Sequence, residues 1–262
     1  MIEKIVEEIK SINPYEFEKM LDEFEKENEM IEIHSDTIII GDIHGDLDSL
    51  IELVKLRKNE KIIFLGDYGD RGYYQVEVYY FLLRLKEKLK NDIILLRGNH
   101  EYPEIEFLPH DLPRSLLSKF GNKAYKIYEK IKEFWKKLSF FAILNDKYFL
   151  VHGGVPIEAP KINELLNNKE YIVQLLWNDP TEENNIIPSF RGIGYLFPKE
   201  VTENFLQKNS LEIIIRSHEA CNGIKENHDR KIITVFSMKG IYGNENIGAL
   251  RITKKSFEKI LI

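Results

Sequence analysis

Six short apolar runs, each ending at a glycine-containing or polar block, dominate the sequence from residue 37 onward. Runs of this length, rich in isoleucine, leucine and valine, are typical of buried strands. They constrain the fold strongly, because a strand that is buried on both faces needs another layer packed against each face. The runs and the blocks that follow them are TIII (37–40) before GDIHG, IIFL (62–65) before GDYGDRG, IILL (93–96) before RGNHE, YFLV (148–151) before HGG, EIII (212–215) before RSHE, and ITVF (233–236) before SMKG.

Helical periodicity separates these runs, over residues 47–57, 75–90, 124–138 and 199–208. Alternating strands and helices predict an α/β fold, in which two mixed β-sheets pack face to face and helices flank them. No internal repeat or flexible linker divides the chain. We therefore expect one catalytic domain over residues 34–262.

Two short amphipathic helices are predicted ahead of that domain. Apolar residues recur at helical spacing over residues 2–9, and Asn13 and Pro14 are typical of a helix N-cap followed by proline in the first turn. We expect residues 1–33 to form a helical extension packed on the core.

The longest stretches predicted to be irregular, 102–118 and 178–198, are candidate binding loops.

Composition excludes several classes of protein. A formal net charge of -6 gives no support for a nucleic-acid or anionic-membrane partner. Cys221 is the only cysteine, so an intrachain disulfide is excluded. Asn227 stands where a cysteine phosphatase needs arginine, so that class of phosphatase is excluded as well. The first residues lack the apolar core of a signal peptide, and no apolar run has the length of a membrane span. We expect a cytoplasmic protein.

The polar residues that follow the apolar runs point to a metal site. They are Asp42, His44, Asp67, Asp70, Arg71, Asn99, His100, His152 and His218. Strand ends meet at one edge of a sheet, so these side chains can gather there. Carboxylate, imidazole and amide ligands without thiolate suit Mn, Fe or Zn ions. Two such ions about 3.5–4 Å apart can share a carboxylate and a water molecule, and can activate that water near neutral pH.

The order of these blocks resembles that of the PPP family of serine/threonine protein phosphatases. The resemblance spans residues 36–262. The blocks that resemble the family's signature blocks are GDIHG (41–45), GDYGDRG (66–72), GNHE (98–101), HGG (152–154), LWNDP (176–180), Arg191-Gly192, RSH (216–218) and the tail TVFS and GAL. We expect a prokaryotic or archaeal-type member. The resemblance implies hydrolysis of phosphoserine and phosphothreonine in phosphoproteins, by direct attack of a water that bridges two divalent metal ions.

The resemblance also assigns roles to individual residues. It implies that Asp42, His44 and Asp67 hold the first metal, with Asp67 bridging, and that Asn99, His152 and His218 hold the second. It implies that His100 is the general acid, that Asp70 orients it, and that Arg71 and Arg191 bind the phosphoryl oxygens.

Other candidate residues have plainer interpretations. We interpret Arg97 and Arg216 as buried structural anchors, although both precede metal ligands, and we favour core positions for Trp135 and Trp177. We interpret His110 as part of a surface turn, and His34 and His228 as surface histidines. Tyr242 is a candidate counterpart of a tyrosine that the family places over its active site.

The sequence departs from the family pattern in two places. SMKGIYGNE (237–245) stands where eukaryotic members carry SAPNYC, so toxin sensitivity and substrate preference do not carry over. Gly69 replaces a residue that is commonly valine.

Two rival hypotheses stay open: the same chemistry on a dinucleoside polyphosphate or another small phosphoester, and an inactive phosphate-binding scaffold. The sequence does not identify a regulatory subunit.

Overall fold

A computed structural model describes residues 1–105 and 108–262 of the chain. The α-helices in these ranges are α1 (Ile2–Ile9), α2 (Pro14–Glu23), α3 (Leu47–Lys55), α4 (Gln75–Leu89), α5 (Leu112–Phe120), α6 (Ala124–Trp135), α7 (Lys169–Trp177) and α8 (Lys199–Lys208). Within the described ranges, none of these helices combines the length and the apolar character that a membrane span requires.

The strands form two larger sheets and one small sheet. They are β1 (Ile31–Ile33), β2 (Thr37–Ile40), β3 (Lys61–Phe64), β4 (Ile93–Leu95), β5 (Phe141–Leu144), β6 (Tyr148–Val151), β7 (Asp179–Pro180), β8 (Ile187–Pro188), β9 (Tyr195–Phe197), β10 (Ile213–Arg216), β11 (Ile224–Asn227), β12 (Ile232–Val235), β13 (Gly248–Ile252) and β14 (Phe257–Leu261). The strand orders are β1-β5-β6-β10-β12-β11, β14-β13-β2-β3-β4 and β7-β9-β8.

Both larger sheets are mixed, as the sequence predicts. Strands β2, β3 and β4 run parallel, and β6, β10 and β12 run parallel in the other sheet. A parallel bridge between Asp42 and Phe236 joins the two sheets just beyond the ends of β2 and β12. The carboxyl ends of the parallel strands therefore meet along one edge of the molecule.

Alternation along the strands explains why the sheets stack. Ile39 of β2 and Ile63 of β3 lie in a cluster shared with the other sheet, whereas Ile38 and Ile40 belong to the cluster formed with the helices. Successive side chains of a strand point to opposite faces, so an uninterrupted apolar run fills two cores at once. The predicted sandwich of two mixed sheets flanked by helices is confirmed.

The two N-terminal helices pack against the helical layer of the main core. Asn13 caps α2 by accepting hydrogen bonds from the backbone of Tyr15 and Glu16. Phe17 of α2 is fully buried, with its ring 6.2 Å from that of Tyr80 and 6.0 Å from that of Phe120. The helical pair therefore contributes to the same apolar cluster as the strands. The division at residue 33 stays a prediction, and residues 31–33 form the edge strand β1.

The two stretches predicted to be irregular contain regular structure. Helix α5 begins at Leu112, inside 102–118, because Pro113 in its first turn lacks only an N–H that would have no helical partner. Residues 106 and 107 of that stretch lie outside the described residues. Strands β7, β8 and β9 occupy part of 178–198 and are too short to give a periodic signal.

The interpretation of His228 as a surface histidine is wrong. Its side chain is buried, its Nε2 donates to the carbonyl of Thr181, and its Nδ1 accepts from the hydroxyl of Thr202 on α8. Satisfying both ring nitrogens makes this burial possible. His34 is exposed and Trp135 is buried, as predicted.

We predict that Phe17→Ala lowers the free energy of unfolding by roughly 3–5 kcal/mol, because it leaves a cavity between α2, α4 and α5. Urea denaturation followed by circular dichroism measures the change. Tyr125→Ala, at an exposed position of α6 (76% exposed), is the control and should change stability by no more than about 0.5 kcal/mol. Equal effects of the two substitutions would show that the extension is not packed on the core.

Candidate metal centre

The sequence-predicted residues gather in one pocket at the shared edge of the two sheets. The pocket has a volume of about 140 Å³. Of the ten predicted residues, those that line it are Asp42, His44, Asp67, Arg71, Asn99, His100, Arg191 and His218. His152 is fully buried against Asn99 and Asp67, and Asp70 lies behind His100.

Strand ends bring the backbone close together here. A side chain at Gly41 would put its Cβ 1.9 Å from the carbonyl oxygen of Val235, across the junction of the two sheets. At Gly98, a Cβ would lie 2.1 Å from a carboxylate oxygen of Asp67. Only glycine fits at either position, so these two glycines allow the strand ends to converge.

The first group of candidate ligands is Asp42, His44 and Asp67. His44 donates from Nδ1 to the carbonyl oxygen of Gly69 at 2.8 Å, which leaves the lone pair of Nε2 free to face the carboxylates. That Nε2 lies 3.3 Å from Oδ2 of Asp67 and 3.8 Å from Oδ2 of Asp42. A hydrogen bond to the other ring nitrogen is the usual way in which a metal-binding histidine is oriented.

The second group is Asn99, His152 and His218, again with Asp67. His152 donates from Nδ1 to the carbonyl oxygen of Leu65, so the lone pair of its Nε2 points at Oδ1 of Asn99, 2.8 Å away. Nδ1 of His218 lies 3.1 Å from the same amide oxygen. Nε2 of His152 is also 3.4 Å from Oδ1 of Asp67. Asp67 is therefore common to both groups.

The chemistry of the candidate ligands fits a divalent cation. With the amide oxygen of Asn99 facing inward, the atoms that meet there are acceptors; in the opposite orientation, the amide nitrogen would donate to Asp67, His152 and His218. A cation would satisfy the first arrangement, because it takes the place of the missing hydrogen-bond donors. Imidazole, carboxylate and amide oxygen are ligands that Mn, Fe and Zn accept.

Electrostatics point the same way. Burial raises the pKa of Asp67 well above its usual value, and the negative charges of Asp42 and Glu101 raise it further. Burial lowers the pKa values of His44, His152 and His218 and so favours neutral imidazoles. Buried carboxylates without a nearby positive charge are costly, so these ligands favour a cation between them.

His100 and Asp70 form a directly hydrogen-bonded pair beside the candidate ligands. Nδ1 of His100 is 2.6 Å from Oδ2 of Asp70. Burial alone would raise the pKa of Asp70, but hydrogen bonds from His100 and His110 outweigh it and hold that pKa well below its usual range. Burial also lowers the pKa of His100 to about 3, against the effect of Asp70.

The interpretation of His110 as part of a surface turn is wrong. Its side chain is only 20% exposed, and Nδ1 lies 2.9 Å from the same oxygen of Asp70. The chain folds back after the GNHE block, and this contact over 40 residues of sequence leaves no periodic signal.

Two arginines line the pocket, Arg71 from the loop between β3 and α4 and Arg191 from the turn between β8 and β9. Arg71 donates to the hydroxyl of Tyr242 and to the carbonyl of Pro109. Arg191 donates to Oδ2 of Asp179 at 2.8 Å and to the carbonyl of His218. Tyr242 lines the pocket, with its ring 6.4 Å from that of His44.

The remaining candidates behave as structural residues. Arg216 is fully buried and binds Asp179 and Glu219, and Arg97 donates to the carbonyl of Leu138. Trp177 is buried in an apolar cluster and also lines the pocket, edge-on to His218. Burial raises the pKa of Cys221 to about 11, so it is a thiol at neutral pH.

Three buried side chains that hold the site were not assigned from the sequence. Glu101 accepts hydrogen bonds from the backbone of Asp67 at 2.7 Å and of Gly98 at 3.0 Å. Ser217 donates to Oδ1 of Asp42 at 2.6 Å, and Asp179 binds both Arg191 and Arg216. Each stands inside a recognised block (GNHE, RSH or LWNDP), which is the signal that could have identified it.

Five of the ten predicted site residues adopt a left-handed backbone conformation. They are His44 (φ 45°), Asp67 (57°), Asp70 (60°), Arg71 (68°) and His218 (69°). Non-glycine residues rarely adopt this conformation, and each such position costs of order 1 kcal/mol or more. Their concentration at one pocket indicates a site where the orientation of the side chains outweighs the cost of backbone strain.

A buried set of carboxylate, imidazole and amide ligands beside two arginines defines a metal-dependent hydrolase of anionic esters. The calcineurin-like phosphoesterase family matches residues 36–222. A protein phosphatase 2A catalytic subunit from Dictyostelium discoideum is 33% identical over 84% of this chain and 74% of its own length. The serine/threonine-protein phosphatase 4 catalytic subunit of Kluyveromyces lactis is 36% identical over 80% of this chain and 72% of its own.

The fold has a counterpart among solved structures. A serine/threonine phosphatase from Saccharomyces cerevisiae, described as similar to human phosphatase PP5, superposes with a TM-score of 0.77 at 23% identity, over 100% of this chain and 89% of its own. The chain belongs to the calcineurin-like phosphoesterases and, within them, to the PPP family of serine/threonine protein phosphatases. The family and the ligand set together support binding of divalent metal ions.

We predict that Asp67→Asn strongly reduces the content of bound divalent metal, because this carboxylate is shared by both groups of ligands. Metal content after dialysis against Mn²⁺, measured by mass spectrometry, and the rise in melting temperature on adding Mn²⁺ report the change. Asp146→Asn, at an exposed turn, is the control. An Asp67→Asn protein with wild-type metal content would contradict the assignment.

Proposed function

We propose that this chain hydrolyses phosphoserine and phosphothreonine in proteins with two divalent metal ions. Asp42, His44 and Asp67 would hold the first ion, and Asn99, His152 and His218 the second, with Asp67 shared between them. The observation that carries the proposal is the convergence of the lone pairs of both groups on Asp67, at 3.3 Å from His44 and 3.4 Å from His152. Mn²⁺ is the ion proposed for assays, and Fe or Zn also suit these ligands.

Bound divalent cations would supply an activated water molecule and neutralise part of the phosphoryl charge. The chain itself binds the phosphoryl group. Arg71 and Arg191 line the pocket and carry planar guanidinium groups, which can donate two hydrogen bonds to a phosphate. Each is also held by a protein contact, to Tyr242 or Asp179, so the guanidinium groups are oriented before substrate arrives.

His100 is proposed as the general acid that protonates the leaving serine or threonine oxygen. Its Nδ1–H donates to Asp70, which leaves Nε2 on the side of the candidate ligands, 3.9 Å from Oδ2 of Asp67. Burial favours the neutral ring, so the imidazolium requires the negative charge of a bound phosphate to stabilise it. Asp70 fixes the tautomer, as an orienting carboxylate does in other proton-transfer sites.

The substrate class is inferred from the relatives. The relative at 33% identity is named as a protein phosphatase 2A catalytic subunit and the one at 36% as a serine/threonine-protein phosphatase 4 catalytic subunit, and this chain spans more than two thirds of each. A cytoplasmic location and the absence of a nucleic-acid partner remain predictions.

We predict that purified protein loaded with Mn²⁺ releases phosphate from a phosphoserine peptide. A panel of that peptide, p-nitrophenyl phosphate and diadenosine tetraphosphate, on protein reconstituted separately with Mn²⁺, Zn²⁺ and Fe²⁺, tests the substrate class and the metal together. Preference for the dinucleotide would favour the small-phosphoester alternative. No turnover of any substrate with any metal would favour an inactive scaffold.

We predict that His100→Asn lowers kcat on the phosphoserine peptide by about 10²–10⁴-fold, because general acid catalysis contributes an effect of that size. Metal content should stay close to that of the wild type, since the substitution leaves both proposed ligand groups intact. Steady-state kinetics and metal analysis of the same preparation measure the two quantities. Full turnover in this variant would remove His100 from the mechanism.

A further inference from the structure

The carboxylate of Asp70 lies beneath two histidines. Its Oδ2 is 2.6 Å from Nδ1 of His100 and 2.9 Å from Nδ1 of His110. The proposed function uses the first contact and assigns nothing to the second. One carboxylate oxygen shared by two ring nitrogens is a defined geometry, because an oxygen that accepts two N–H bonds cannot rotate without losing one of them.

The segment that carries His110 also holds the other oxygen of Asp70. The backbone N–H groups of Asp111 and Leu112 donate to Oδ1 of Asp70 at 2.6 and 2.9 Å. The same segment reaches Arg71, which donates to the carbonyl of Pro109 at 2.7 Å. Three donors from residues 110–112 thus clamp the carboxylate that orients the proposed general acid.

His110 is itself anchored to helix α6. Its Nε2 lies 2.7 Å from the hydroxyl of Tyr128, and its ring packs 6.4 Å from that of Trp135. Trp135 is buried, and its indole N–H donates to the hydroxyl of Tyr79. Neutral His110 with a proton on Nδ1 satisfies both contacts, because Nδ1–H donates to Asp70 while Nε2 accepts from Tyr128.

We propose that His110 is a positioning residue for proton transfer: it shares Oδ2 of Asp70 with His100 and so fixes the carboxylate that orients the general acid. This inference rests on the proposed role of His100. Without the Nδ1–H of His110, Oδ2 of Asp70 keeps only the contact with His100 among its two side-chain donors, while Oδ1 stays bound to the backbone of Asp111 and Leu112. The oxygen that orients His100 is then held less firmly. Nε2 of His100 would then be less well aimed at the leaving oxygen.

The nature of the leaving group separates positioning from general stability. A serine alkoxide is a strong base and needs a proton as it departs, whereas p-nitrophenolate is a weak base and departs with little help. A residue that acts through His100 must therefore affect phosphoserine hydrolysis far more than p-nitrophenyl phosphate hydrolysis. A residue that only supports folding would affect both substrates alike.

We predict that His110→Phe lowers kcat on a phosphoserine peptide by about tenfold or more, the size expected when an orienting partner is lost, with a much smaller loss on p-nitrophenyl phosphate. His110→Asn keeps an N–H donor near the position of Nδ1 and should recover part of the loss. Tyr128→Phe removes the hydroxyl that anchors Nε2 and should give a weaker loss with the same selectivity. His34→Phe, at an exposed histidine, is the control and should match the wild type.

All variants are compared as metal-loaded full-length protein, with melting temperatures measured alongside the kinetics. Wild-type turnover of the peptide tests the proposed function, while the ratio of the two kcat losses tests His110, so the two failures are distinguishable. Equal losses on both substrates, no loss on either, or an Asn variant as impaired as the Phe variant would each overturn the proposal. If His110→Phe proves unstable, equal losses in the folded Tyr128→Phe protein overturn it as well.

Discussion

The carboxylate of Asp67, buried where the two sheets meet, sets the requirements for the rest of the site. It faces His44 on one side and His152 on the other, and its backbone N–H is held by the carboxylate of Glu101. The carboxylates of Asp67 and Glu101 lie close together away from water, so they repel each other, and burial adds a further penalty. A bound cation would offset both costs, so metal binding is expected to stabilise this edge of the fold.

The sandwich makes such an assembly possible because its stability lies elsewhere. Ile39 and Ile63 fill the space between the sheets, while Ile38 and Ile40 fill the space beneath the helices, so each strand is held from both sides up to its last residue. The polar turns beyond the strands can then adopt left-handed backbone conformations without loosening the core. Rigid strands followed by strained turns are a common way of fixing the direction of catalytic side chains.

The features that could be predicted from the sequence are those with a local signal. The strands before each glycine-containing block and the capped helix after Asn13 rest on short-range patterns. The division of the candidate ligands into two groups rests instead on the resemblance to the PPP family. The contacts that could not be predicted join residues far apart: Glu101 with Asp67, His110 with Asp70, and His228 with Thr181. A buried polar residue that is satisfied by a distant partner looks, in sequence, like any surface residue. The structure therefore contradicts the interpretation of His110 and His228 as surface residues, whereas His34 is exposed as predicted.

A second buried carboxylate, that of Asp179, is also shared by two side chains, one of which lines the pocket. Asp179 binds Arg191 at 2.8 Å through one oxygen and the fully buried Arg216 at 2.6 Å through the other. A buried ion pair adds little net stability, since desolvation consumes most of the attraction, but it fixes geometry. Arg216 and His110 are comparable in one respect: each binds a buried carboxylate that also binds a residue lining the pocket, Arg191 through the other oxygen of Asp179 and His100 through the same oxygen of Asp70. In the proposed mechanism, the general acid His100 and the phosphate-binding Arg191 would both be oriented by residues that do not contact the reacting group.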